Sequence, residues 1–247
     1  MCIFCEKTTG SVAILLLCIF ISSCASRKLF LNPSVDAIQP EVTIRPDYTI
    51  YAIGDAGELN DQSRAVMKHI ALVASDDTQP GVILFLGDNI YPSGFPPEGM
   101  IRETQRAQDI LMNQVIPVKD YAGDNHQIIF LPGNHDWNEF KPGGLDAIRR
   151  QSAFIEALGP DYHFLPEAGC SGPEEYSTGT ENVVLIIIDS QWWLQDWDKE
   201  PMMNQNCPFK SREDFITSLQ SVIKAHNGSQ VVIAMHHPLM TQGPHAG

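Results

Sequence analysis

Asp88 stands in Gly87-Asp88-Asn89-Ile90-Tyr91, just after the apolar run Val82-Ile83-Leu84-Phe85-Leu86. A short β-branched and aromatic run bounded by Gly reads as a buried strand, which puts Asp88 and Tyr91 on the loop beyond its carboxyl end. Open α/β sheets carry their chemistry at that end. Three further runs finish the same way: Tyr48 to Ile53 leads into Gly54-Asp55-Ala56-Gly57, Gln127 to Leu131 into Pro132-Gly133-Asn134-His135-Asp136, and Val231 to Met235 into His236-His237-Pro238. Oxygen and imidazole donors converging from separate strand ends are what a divalent or trivalent metal ion needs, and the glycines beside them allow close backbone approach. A lone Asp after a strand is more often a turn residue, and Asp189, which ends the run Asn182 to Ile188, reads as one.

The series GDAG, GDNIY, GNHD and MHHP resembles the calcineurin-like metallophosphoesterase superfamily, and Tyr91, three residues after Asp88, makes it similar to the purple acid phosphatase branch. Each piece alone is weak, but four in this order after four strands form a specific pattern. The resemblance implies an α/β fold, a β-sandwich flanked by helices on both sides. It also implies a centre of two metal ions, with Asp88 bridging, Asp55 and Tyr91 on the first ion, and Asn134 and His236 on the second. Tyrosinate suits Fe(III) there, with Zn, Fe or Mn(II) at the second position; without Tyr91 as a ligand, a Mn or Zn pair is equally reasonable. The implied reaction is hydrolysis of a small phosphomonoester by a metal-bound hydroxide, with His135 or His245 protonating the leaving oxygen and Asp136 orienting His135. The alternatives are a phosphodiesterase or nucleotidase of the same fold, or a non-catalytic surface lipoprotein that retains it.

The family pattern also calls for a later Gly-His-x-His segment giving one imidazole to each ion, and none occurs up to Gly247. The resemblance therefore implies a fragment of a longer chain, or lost catalysis. It further implies an incomplete second sheet and weak metal binding by this polypeptide alone.

Several helices must position these strand ends. Asn60 or Asp61 caps one whose apolar face is Ala65, Val66, Ile70 and Val73, ending near Ser75. A second is predicted from Ile101 to Val115, stopped by Pro117, and a third is marked by Leu145, Ile148, Ile155 and Leu158. Ser211 and Asp214 resemble a capping box ahead of a stripe at Phe215, Ile216, Leu219, Val222 and Ile223. Residues 159–181 read as loop with a short strand at Tyr162 to Leu165. The segment after Tyr91, PSGFPPE, reads as a rim around the site, and Trp192, Trp193 and Trp197 as packing. His69, His126, His163 and His226 read as surface or half-buried histidines, and His237 as a mere neighbour of His236.

The amino end has a different character. Lys7 precedes the ten-residue apolar run Val12 to Ile21, too short to span a bilayer, and small residues then lead to Cys24. Residues 1–23 read as a signal peptide. Ile21-Ser22-Ser23-Cys24 resembles the bacterial lipoprotein signal, so the resemblance implies an exported protein anchored to a membrane by lipid on Cys24, the alternatives being a plain cleaved signal or an uncleaved anchor. Residues 24–46, with Pro33, Pro40 and Pro46, read as a tether, and residues 47–247 as the phosphoesterase domain. Cys170 and Cys207 would then either pair in an oxidising compartment or remain free thiols in loops. A net charge of -14 argues against nucleic acid as a partner, whereas a small phosphate ester remains compatible because bound cations would supply local positive charge. Composition leaves the oligomeric state open.

Overall fold

The computed structural model describes residues 46–121, 125–195 and 205–239, all within the unit that begins at Pro46. The leader, the tether, Trp197 and His245 lie outside the described residues. Four strands, β1 (Thr49–Ile53), β2 (Gly81–Leu86), β3 (His126–Leu131) and β4 (Tyr162–Phe164), form a wholly parallel sheet in that order. Three more, β5 (Glu174–Ser177), β6 (Val183–Ile187) and β7 (Gln230–Ala234), form a second sheet, with β6 parallel to β7 and antiparallel to β5.

The alternation of side chains along the strands builds the layers. Val82, Leu84, Ile129 and Leu131 project from one face of the first sheet and pack against Leu185, Ile187 and Ala234 of the second. Ile83, Phe85, Ile128 and Phe130 project from the other face into a core shared with the helices, and Phe85 stacks on its register partner Phe130 at 4.4 Å. That core takes in α1 (Asp61–Ser75), α2 (Ile101–Tyr121) and α3 (Gly144–Glu156), while Val184, Ile186 and Ile188 face Phe215 on α5 (Arg212–Ala225). A short helix, α4 (Ser190–Leu194), follows β6 directly. The result is the helix–sheet–sheet–helix sandwich that the sequence implied.

Three local expectations need correcting. Helix α1 is capped by Asn60, as expected, but it buries Met67, Ala71 and Ala74 and leaves Val66 and Val73 nearly half exposed. Two alanines at i+4 and i+7 let the helix lie close to the sheet, which a ranking by side-chain bulk misses. Helix α2 continues through Pro117 to Tyr121. An interior Pro costs about 3 kcal/mol; burial of Val115 and Val118 on the continuous helix offsets it. Strand β5 lies in a stretch assigned to loop, because EEYS has almost no apolar residue to mark an edge strand.

The remaining elements follow the sequence closely. Ser211 caps α5 by accepting the Asp214 N–H at 3.0 Å, although the Asp214 carboxylate accepts from Lys210 N and not from Ser211 N. Trp192 is fully buried and Trp193 packs on Phe215 and under the Arg212 guanidinium, as the packing reading expected. His126 is buried, contrary to expectation. Cys170 and Cys207 form a disulfide, which resolves the open choice.

Candidate active site

All four parallel strand ends that carry donors open onto one place. Asp55 and Asp88 adopt left-handed backbone conformations, with φ of 56° and 54°, a region non-glycine residues seldom occupy outside functional loops. Backbone bonds lace their loops together: Asp55 N–H to Gly87 O, Gly57 N–H to Asp88 O and Tyr91 N–H to Gly57 O. A Cβ at Gly57 would meet Asp88 O at 2.5 Å, and one at Gly133 would meet Asp88 Oδ1 at 2.3 Å. Gly57 and Gly133 are therefore required by close approach between loops.

The other four expected donors gather around Asp88. The Tyr91 hydroxyl lies 2.9 Å from Asp55 Oδ1 and 2.9 Å from Asp88 Oδ2. One phenolic proton cannot fully satisfy two carboxylates. Burial and the adjoining Asp88 charge hold the Tyr91 hydroxyl well above the ordinary tyrosine range, so it stays protonated while no cation replaces that proton. On the other side, His236 Nε2 lies 3.1 Å from Asn134 Oδ1 and 3.5 Å from Asp88 Oδ1. His236 Nδ1 sits 2.7 Å from Leu86 O, a contact that places a proton on Nδ1 and aims the other nitrogen inward. Electron-rich atoms thus meet at two points, and each oxygen of Asp88 belongs to a different one. Asp88 is buried, Tyr91, Asn134 and His236 are half-buried, and Asp55 is exposed, so the cluster opens at the Asp55 side.

These residues fit metal ions in chemistry: two carboxylates, a phenol, an amide oxygen and an imidazole. Among the described residues, His, Cys, Asp and Glu alone form no group of three placed to hold a metal. The donor set depends on Tyr91 and Asn134.

His135 donates its backbone N–H to Asp88 Oδ1 at 2.9 Å, and its ring stands edge-on to Tyr91 with Nε2 3.9 Å from Asp88 Oδ2. Its Nδ1 contacts Pro92 O at 2.6 Å, so the loop expected to form a rim does touch the site. Asp136 does not orient His135. Its fully buried carboxylate accepts from Gly133 N, Asn89 N and Asn89 Nδ2, tying the two motif loops together, while Asn89 Nδ2 also donates to Leu131 O. Burial pushes the Asp136 carboxyl up to about 6, opposed by those N–H donors. A cavity of about 230 Å³, lined by Tyr91, Pro92, Phe95, Met100, Arg106 and Arg150, adjoins the same loop.

Asp189 does more than make a turn. It caps α4 through Trp192 N at 3.0 Å and accepts Trp137 Nε1–H at 2.8 Å, fully buried. Burial raises its carboxyl to about 7. The only sequence signal for this link was an Asp-Ser pair ending an apolar strand. His237 is held by Ser190 and stacks edge-on to His236, and burial next to His236 lowers its basicity.

A parallel sheet backed by a second one, with acidic and imidazole donors gathered at the strand ends, defines a metal-dependent hydrolase of the α/β sandwich class. The sequence profile of the calcineurin-like phosphoesterases matches residues 48–246, and the chain belongs to that family of metal-dependent phosphoesterases. Among curated proteins, none matches the chain closely enough to count as a relative.

Proposed function

We propose that the protein hydrolyses phosphomonoesters at a centre of two metal ions in which Asp55, Tyr91 and Asp88 hold one ion and Asp88, Asn134 and His236 the other. The observation that carries this reading is the division of the Asp88 carboxylate, with Oδ2 toward Tyr91 and Asp55 and Oδ1 toward His236 and Asn134. Two cations so placed supply positive charge for the phosphoryl oxygens and acidify a water at neutral pH. Fe(III) at the Tyr91 position and Zn, Fe or Mn(II) at the other suit the donors.

The chain's own residues provide the rest. The Leu86 carbonyl fixes the tautomer of His236, and Asp136 with Asn89 keeps the Asp88 and Asn134 loops together. His135 has its Nδ1–H committed to Pro92 O, which leaves Nε2 as the ring nitrogen that faces the Asp88 side of the site. His245, the other expected acid, lies outside the described residues. The disulfide supports an exported protein, since such bonds persist in oxidising compartments, and lipid anchoring at Cys24 is the matching proposal for location.

The test is hydrolysis of p-nitrophenyl phosphate and its bis-ester at saturating Fe, Zn or Mn, with and without chelator. Hydrolysis of the monoester that chelation abolishes and that Asp88→Asn reduces by about 10²-fold or more supports the reading. Hydrolysis that neither change affects would overturn it.

A further inference from the structure

The turn after β6 touches both loops that carry the Asn134 and His236 donors. Asp189 Oδ2 accepts the Trp137 indole N–H at 2.8 Å, and Trp137, three residues beyond Asn134, is itself buried and bonded by its backbone N–H to Gly133 O. The next residue, Ser190, lies beside His237: its Oγ accepts the His237 backbone N–H at 3.0 Å and pairs with His237 Nδ1 at 2.9 Å. His237 adjoins His236, whose Nε2 returns to Asn134 at 3.1 Å. Bonds and short chain segments together close a ring: Asn134 along the chain to Trp137, then Asp189, Ser190, His237, His236 and back to Asn134.

The ring also joins the two sheets. Trp137 follows β3 of the first sheet, whereas Asp189 and His237 follow β6 and β7 of the second, where Ile188 N–H bonds Ala234 O. The bond from His236 Nδ1 to Leu86 O already ties the His236 side chain to β2; beyond it, the separation of the Asn134 and His236 loops would rest on apolar packing between the sheets, which is non-directional. Directional bonds at both arms fix it.

We infer that Asp189 and Ser190 are positioning residues, which hold the Asn134 and His236 loops, from different sheets, at the separation one cation requires. The inference rests on the two-metal reading of Asp88 for its functional consequence, though the mechanical part concerns the metal-free chain. Trp137 and His237 are the arms; neither they nor the Asp189–Ser190 turn belongs to the five donors. Groups placed in this way orient donors, and their loss costs about 10–100-fold in metal affinity.

The experiment compares the full chain with Ser190→Ala, Ser190→Thr and Trp137→Phe, by Mn²⁺ titration calorimetry and by imidazole NMR of the metal-free protein. Ser190→Ala is expected to weaken Mn²⁺ binding by about 10-fold or more and to move the His236 ring signals, with Ser190→Thr restoring both. Trp137→Phe cuts the opposite arm, is expected to move the Asn134 amide signals, and decides the matter if Ser190→Ala fails to fold. Unchanged affinity and unchanged signals in the folded variants, or equal damage from Ala and Thr, would overturn the inference. A parent chain that takes up no Mn²⁺ refutes the two-metal reading instead; the positioning role then stands or falls on the metal-free NMR signals alone.

Discussion

Gly133→Ala and Gly54→Ala form a matched pair that isolates close packing at the site. Both glycines stand beside a proposed ligand, and neither needs a left-handed backbone. A Cβ at Gly133 would lie 2.3 Å from Asp88 Oδ1 and 2.4 Å from Asp88 N, while one at Gly54 would meet nothing within 4 Å. Asp88 N is backbone, so relief at position 133 requires the loop to move. Overpacking of this kind costs about 1–3 kcal/mol, which for a domain of this size lowers the unfolding midpoint by about 2–12 °C. Displacing the Asp88 carboxylate by about 1 Å should also reduce hydrolysis by about 10²-fold. Gly54→Ala should change stability by no more than about 0.5 kcal/mol and leave activity intact. Thermal denaturation and p-nitrophenyl phosphate hydrolysis measure both. A Gly133→Ala protein as stable and active as the parent, or equal damage at position 54, would refute the claim that Gly133 is required for contact with the Asp88 loop.

Three other outcomes are expected. Replacing Cys170 and Cys207 by Ser opens a loop with a sequence separation of 37 and, on chain entropy, should lower unfolding free energy by about 4 kcal/mol, measurable by urea titration. Asp189, held near 7 by burial against 3.8 for an unperturbed Asp, releases its proton more readily from the unfolded chain. Its favourable contribution is therefore present below about pH 4 and lost as the pH rises to about 7, a span worth roughly 4 kcal/mol, and urea midpoints should fall less steeply over that window in Asp189→Asn. With Fe(III) bound, Tyr91→Phe should remove a visible phenolate-to-iron absorption band; an identical spectrum would exclude Tyr91 as a ligand.

Much of the site was legible because its parts are short and local: a strand, a glycine and a donor after β1, β2 and β3, and a strand and a histidine pair after β7. The spelling placed Asp55, Asp88, Tyr91, Asn134 and His236 at strand ends; parallel pairing brings the ends of β1, β2 and β3 together, and packing of the second sheet on the first brings His236 to them. What sequence could not convey was tertiary. The role of Asp136 depends on Asn89, 47 residues away, and that of Asp189 on Trp137, 52 residues away. The buried face of α1 depended on which stripe could approach the sheet, and Ala71 and Ala74 do so because they are small. Strand β5 escaped notice since its pairing with β6, and not its polar residues, defines it.

Anomalous diffraction from crystals soaked in Mn²⁺ or Zn²⁺ tests the sharing of Asp88 most directly. Two peaks are expected about 3.5–4 Å apart, one touching Asp55, Tyr91 and Asp88 Oδ2, the other touching Asp88 Oδ1, Asn134 and His236. Peaks that avoid Asp88, or a single ion bound without it, would contradict the account.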